Sequence, residues 1–207
     1  MEKYILDTNL FFNMEADLGL GKKTEEIIIN LTNIISRLKK EKKAEFFMPP
    51  SIVSEFLGFF PNKEQLFLKN FLSIITIKSP EKSKISFPST IFYRLIEDIR
   101  TRSYRGLNIS EEEIESAGRS MMKEKDLGKK DFQIKIGATI KNFRNRYRNA
   151  TRTGFLDSIA DLDLIVLAIE QGAFLISTDE GVLNWGRLFG VKEMPSLVFQ
   201  KRLEALL

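Results

Sequence analysis

Short apolar runs alternate with amphipathic stretches at the two ends of the chain and disappear between them. Residues 4–6 (Tyr-Ile-Leu) stop at Asp7, the pattern of a buried strand that presents a carboxylate at its C-terminal end. Thr24 then reads as an N-cap with Glu25 and Glu26 in the first turn, and Ile27, Ile28, Leu31, Ile34, Ile35 and Leu38 recur at helical spacing. Residues 45–48 predict a second strand, closed by Pro49-Pro50, and Ser51 is read as the cap of a short helix that ends at Pro61 and carries Glu55 one turn in. A helix over 63–71 and a strand over 73–77 complete this first block.

From about residue 86 to 153 the strand-like runs vanish. Helical spacing predicts segments over roughly 89–102, 110–126 and 131–149, the second opening with Ser110-Glu111-Glu112-Glu113, a capping-box match. After Gly154 the α/β rhythm returns. A helix is expected over 158–171 with Gly172 as its C-cap, then a strand over 173–177 ending at Thr178-Asp179, a helix over 182–189 and a last strand near 197–199. Alternating strands and helices predict an α/β fold, a mainly parallel sheet covered on both faces in three layers. The expected division is an α/β body from 1–85 and 154–207 with a protruding basic helical insertion from 86–153. In such sheets ligands bind at the C-terminal strand ends, where Asp7 and Asp179 fall.

Composition narrows the chemistry. The 207 residues contain no His and no Cys, which removes Ser-His-Asp triads, His-based RNA cleavage, thiolate nucleophiles, disulfides and nearly all protein zinc sites. Carboxylates, Lys, Tyr, Ser and Thr remain, and an all-oxygen ligand set suits Mg²⁺ or Mn²⁺. No stretch approaches the roughly 18–20 apolar residues of a membrane span, so no membrane partner and a cytoplasmic location are expected. The net charge of +4 is small, but it is unevenly spread. Residues 141–152 hold five bases (Lys141, Arg144, Arg146, Arg148, Arg152) and no acid, with Phe143 and Tyr147 interleaved, a pattern suited to RNA phosphates and base stacking.

Asp7, Glu55, the group Asp157, Asp161 and Asp163, and Asp179 can converge on one crevice. Brought together without a cation they would repel each other; with Mg²⁺ they could polarise a phosphodiester and activate water. Each has a plainer reading as well. Asp7 and Asp179 stand in ordinary turn sequences, Glu55 suits a solvated helix face, Asp157 suits a helix N-cap, and the basic run suits a solvated helix. Asp161 and Asp163 interrupt an apolar helix, where a carboxylate without a partner costs several kcal/mol, on the order of known charge-burial penalties. A spacing of two does not put both on one face, and Asp161 is the favoured ligand.

Leu6-Asp7-Thr8-Asn9, the segment 51–55 ending at Glu55, the segment 161–168 opening Asp161-Leu162-Asp163, and Ser177-Thr178-Asp179 resemble, in order and spacing, the acidic motifs of PIN-domain nucleases. The Asp-Leu-Asp helix, the preceding Asp157, the basic helical insertion and the length are most similar to the minimal protein-only RNase P enzymes, the homologues of Aquifex RNase P, also described as RNA ligase partner proteins. The resemblance implies a PIN-like domain and a metal-dependent endoribonuclease that removes the 5′ leader of precursor tRNA, leaving 5′-phosphate and 3′-hydroxyl ends. It also implies a homo-oligomer whose helical insertion serves self-assembly and tRNA grip. It places Asp7, Asp161 and Asp179 at the metal, Asp157 and Asp163 in the same catalytic cluster, and Glu55 in metal support. Two other readings stand beside it: a toxin-type PIN ribonuclease cutting tRNA or rRNA, and a non-catalytic RNA-binding assembly module.

Overall fold

A computed structural model of the chain describes residues 1–12, 19–122 and 127–207. They fall into two compact units, Met1–Phe87 with Leu156–Leu207, and Pro88–Phe155. The first unit is built on β1 (Glu2–Leu6), β2 (Ala44–Met48), β3 (Thr76–Ile77), β4 (Phe174–Ile176) and β5 (Lys192–Glu193), all parallel in the order β3-β2-β1-β4-β5. Helices α1 (Asn9–Phe12), α2 (Thr24–Lys40), α3 (Pro50–Gly58), α4 (Leu66–Ile74), α7 (Ile159–Gln171), α8 (Glu180–Leu188) and α9 (Ser196–Leu206) connect and cover the strands. The α/β class and the parallel sheet are as the pattern predicts.

The central strand β1 has helices to either side, so Tyr4, Ile5 and Leu6 are all fully buried and the strand reads as a continuous apolar run. Tyr4 stacks on Phe46 of β2 and Phe174 of β4 and meets the edge of Phe199 of α9. Its hydroxyl donates to Glu2, which pairs with Arg202 of α9. On α2, Ile28, Leu31, Ile35 and Leu38 form the buried stripe. Gly172 takes the left-handed conformation (φ 59°) that ends α7 and turns the chain into β4.

The second unit is a pair of packed helices, α5 (Thr90–Met122) and α6 (Lys129–Arg152). Here the sequence reading is corrected: the separate segments expected over 89–102 and 110–126 form one continuous helix across Gly106 and Ser110 over its described residues. The Ser110 hydroxyl donates to the Gly106 carbonyl at 2.8 Å instead of capping. Glu113, expected to complete the capping box, accepts from Arg146 at 2.7 Å and Asn142 at 2.8 Å on α6. Gly106 survives mid-helix because Tyr147 packs onto it; a Cβ there would stand 2.6 Å from the Tyr147 ring. The guanidinium of Arg102 donates to the carbonyls of Thr151 and Thr153 at 3.0 Å and lies 4.7 Å from the Phe155 ring centre. It thereby serves the orphan carbonyls at the end of α6.

Other differences are local. The strand expected near 197–199 is helical, because Pro195 starts α9 and Phe199 and Leu203 bury one face of it; the edge strand lies earlier, at β5. The expected strand over 73–77 shortens to β3, and α4 runs on through Ile74. Helix α2 begins at Thr24 itself, with Lys23 in the N-cap position, and α3 begins at Pro50, ahead of Ser51. Asp157 is not the cap of α7; Ser158 is, its Oγ accepting from the Asp161 amide at 3.0 Å.

Candidate active site

Three connected elements bring carboxylates to the C-terminal edge of the sheet. The register pairs Leu6 with Ile176, so the residues that follow, Asp7 and Ser177, emerge side by side from neighbouring strands. Asp7 is 2% exposed. Its Oδ2 accepts from the Ser177 hydroxyl at 2.5 Å and from the Asn9 amide at 3.3 Å. Ser177 Oγ in turn accepts the Asp179 amide at 3.0 Å, so one hydroxyl ties the two strand-end acids together. Asp179 Oδ1 accepts from the Val182 amide at 3.0 Å and caps α8.

The third connection reaches α3. Thr8 Oγ1 lies 2.9 Å from Glu55 Oε1 and 3.3 Å from Asp7 Oδ1. A hydroxyl has one proton to donate, and the shorter contact is to Glu55. Thr8 thus anchors the exposed Glu55 to the buried end of β1.

Proton affinities record burial first and, after it, the nearness of other acids. Burial raises the Asp7 carboxyl above its ordinary value and the charge of Glu55 adds to this, against the lowering by the Ser177 hydroxyl. The Asp161 carboxyl is pushed up to about 6, first by burial and then by the negative charges of Asp7, Asp179 and Asp157, while the Ser158 hydroxyl opposes the rise. Asp161 therefore feels two aspartates from distant segments, Asp7 and Asp179, and a third, Asp157, from the stretch that leads into its own helix. Desolvation and like charge both penalise the ionised form.

Asp163 behaves differently. Its Oδ2 accepts from the Ser51 hydroxyl at 3.1 Å and its Oδ1 lies 3.2 Å from Lys82 Nζ. Asp163 is turned toward α3 and the Lys82 segment, fastening α7 to the helix that carries Glu55. Asp163, expected to share the acid cluster or to cap or face solvent, here ties α7 to α3, while Asp161 lies in the field of Asp7, Asp179 and Asp157.

The oxygen-only donor set fits a hard divalent cation, and the raised Asp7 and Asp161 values describe charge that a cation would relieve. Among the described residues no three acids are grouped closely enough to hold a metal ion as they stand. Sequence reasoning missed Ser177, Thr8 and Ser51 as organisers. The available signal was a polar residue at the end of a buried apolar run, directly after it at Ser177 and one position later, behind Asp7, at Thr8.

In the second unit, Lys141, Arg144, Arg146, Arg148 and Arg152 all have exposed side chains. The run lacks acids in sequence, but α5 supplies them: Arg146 is 2.7 Å from Glu113 and 2.5 Å from Glu112. Its charge is largely spent within the unit.

Known proteins resemble this chain over nearly its whole length. Residues 3–207 match the family model described as PINc domain ribonuclease. The chain is 33% identical over 205 residues, 99% of its length and 95% of the relative's, to the "RNA-free ribonuclease P" of Thermococcus kodakarensis. It is 35% identical to the protein of that name from Nitrosococcus oceani, over 93% of this chain and 89% of the relative. The one from Methanocaldococcus jannaschii is 31% identical over 100% of this chain and 92% of its own.

Proposed function

The chain belongs to the RNA-free ribonuclease P family of PIN-domain ribonucleases, and from that premise we propose that it removes the 5′ leader of precursor tRNA by Mg²⁺- or Mn²⁺-dependent hydrolysis. The products are a 5′-phosphate on the mature tRNA and a 3′-hydroxyl on the leader. The supporting observation is the gathering of Asp7, Asp157 and Asp179 around the half-buried Asp161, whose carboxyl burial raises to about 6 with the three charges adding to the rise.

In this proposal Asp7, Asp161, Asp179 and Glu55 hold the cation, and Asp157 adds negative charge beside them. When bound, the divalent ion supplies Lewis-acid polarisation of the phosphodiester and a water of lowered pKa. The protein's own part is positional. Ser177 fixes the Asp7 carboxylate and links it to the Asp179 backbone, Thr8 holds Glu55 to β1, and Asp163 with Ser51 holds α3 to α7. The bare acid set repels RNA phosphates, so cleavage requires the cation to be in place. Lys141, Arg144, Arg148 and Arg152 are proposed to contact the phosphates of the tRNA body, with a smaller share from Arg146. Binding then weakens steeply with salt, each neutralised phosphate adding roughly 0.7–0.9 to the logarithmic slope. A homo-oligomer is part of the same proposal.

The test is cleavage of one precursor tRNA with mapping of the new 5′ end, in Mg²⁺ and in EDTA, by wild type and Asp161→Asn. The expected result is a single cut at the mature 5′ end, lost in EDTA and in a folded Asp161→Asn. Cutting of unrelated single strands while the precursor stays whole would sink the tRNA assignment.

A further inference from the structure

Aromatic side chains lie one helical turn beyond the acids on two elements at once. From Asn9, whose amide donates to Asp7, α1 leads to Phe12. From Glu55, α3 leads to Phe59, whose torsions are still helical (φ −75°, ψ −12°). Phe59 therefore stands on the same helix face as Glu55, about 6 Å further along the axis. The two elements meet again there: the Phe12 and Phe59 rings stack at 4.0 Å between centres and 25° between planes.

The surroundings make this pair a firm platform. Behind it Phe56 is fully buried and meets Phe11 and Phe60 edge-on at 5.2 and 5.4 Å. Within this group Phe59 stands out, because it gives one face to Phe12 and is still 54% exposed. An open phenyl face that is costly to hydrate, backed by a packed aromatic base and one turn from a phosphate-cutting acid cluster, has the chemistry to receive a nucleobase.

Resting on the reading of the chain as a precursor-tRNA nuclease, we infer that Phe59, seated on Phe12, is a subsite for the last base of the 5′ leader. Stacking on protein aromatics requires a base free of its helix. The leader nucleotide next to the cut can be splayed out, whereas the first mature nucleotide is held in the acceptor stem. Stacking accepts any base, since every base has a π-face. Phe59 thus positions the linkage over the acids without reading sequence, as suits an enzyme whose substrates carry different leaders.

The test has two arms. In the first, Phe59→Leu keeps apolar bulk and removes the ring, while Phe59→Trp keeps a stacking face. Cleavage efficiency on a normal leader should fall about 5- to 150-fold with Phe59→Leu, the loss expected for one base–aromatic stack, and be retained by Phe59→Trp. On a precursor whose last leader nucleotide is abasic, wild type and Phe59→Leu should cut alike. Equal wild-type-to-Leu ratios on both substrates overturn the inference. The second arm needs no variant at Phe59: 5-iodouridine at the last leader position is photocrosslinked to the Asp161→Asn protein, which binds without cutting. A crosslink at Phe59 or Phe12 supports the subsite, and crosslinks found only elsewhere overturn it. A wild type that leaves the precursor intact is a separate outcome, and it counts against the nuclease reading itself.

Discussion

Neutralising the acid at the centre of the site should make the metal-free protein more stable while abolishing its activity. Asp161 titrates near 6 in the fold against an ordinary 3.8, a rise of about two units and at most roughly 3 kcal/mol. The side chain is only partly buried, so solvent screening reduces this to about 1.5 kcal/mol. Asp161 also sits in the first turn of α7, where a negative charge is worth about 0.5 kcal/mol that Asn gives up. The balance is about 1 kcal/mol in favour of Asp161→Asn, or a rise in thermal midpoint of about 2–4 °C for a chain of this size.

The sign with pH follows from the raised value. Between the unfolded and folded pKa the folded state binds the extra proton, so wild-type stability falls as pH rises through that window. The penalty is full above about 6 and absent below 3.8. Thermal melts of both proteins in EDTA at pH 7.5 and pH 4 should therefore show a gap at the first pH that closes at the second. Adding Mg²⁺ at pH 7.5 should raise the wild type alone, since only it binds the ion tightly. A variant no more stable than wild type in EDTA at pH 7.5, or a gap that ignores pH, would refute the account of Asp161 as a carboxylate penalised by burial and by its acidic neighbours.

Three further outcomes are expected. The Mg²⁺ concentration for half-maximal cleavage should climb as pH drops below about 6, up to roughly tenfold per unit, because protons compete for Asp161; a flat profile between pH 5 and 7.5 argues against acid ligands. Ser177→Ala removes the hydroxyl that donates to Asp7 and accepts from the Asp179 amide, so it should cost about 1–3 kcal/mol in urea unfolding and lower kcat more than KM, whereas Ser177→Thr should recover part of both. Arg102→Met keeps the apolar stem but releases the carbonyls of Thr151 and Thr153, a loss of about 1.5–3 kcal/mol that should appear as faster amide exchange at the end of α6 with exchange in β1 and β4 unchanged.

Much of the first unit was readable in the sequence because its strands are buried on both faces. Tyr4-Ile5-Leu6 and the strand before Ser177 needed only their apolar runs, and α7 needed its Ser158 start and its Gly172 stop. The misread regions share a cause: partners distant in sequence outweighed local signals. Gly106 and Ser110 look like a helix break until Tyr147 and Arg146 are set across from them. The stretch 197–199 looks like a strand until Phe199 is seen against Tyr4. The acids show the same limit. Residue type and order pointed to Asp7, Asp161 and Asp179, but only the fold separates Asp163, bound to Ser51 and Lys82, from its neighbour two positions away.

The pairing of β1 with β4 carries a consequence for biosynthesis. A ribosome delivers Asp7 and Glu55 long before β4, with Ser177 and Asp179 behind it, and β1 has an open edge until β4 docks. A polypeptide halted before Phe174 thus lacks both the hydroxyl that orients Asp7 and the last carboxylate. On the proposed role of these acids, cutting power would arise only once β4 adds itself to the sheet beside β1, and a chain halted earlier would leave the RNA around it whole.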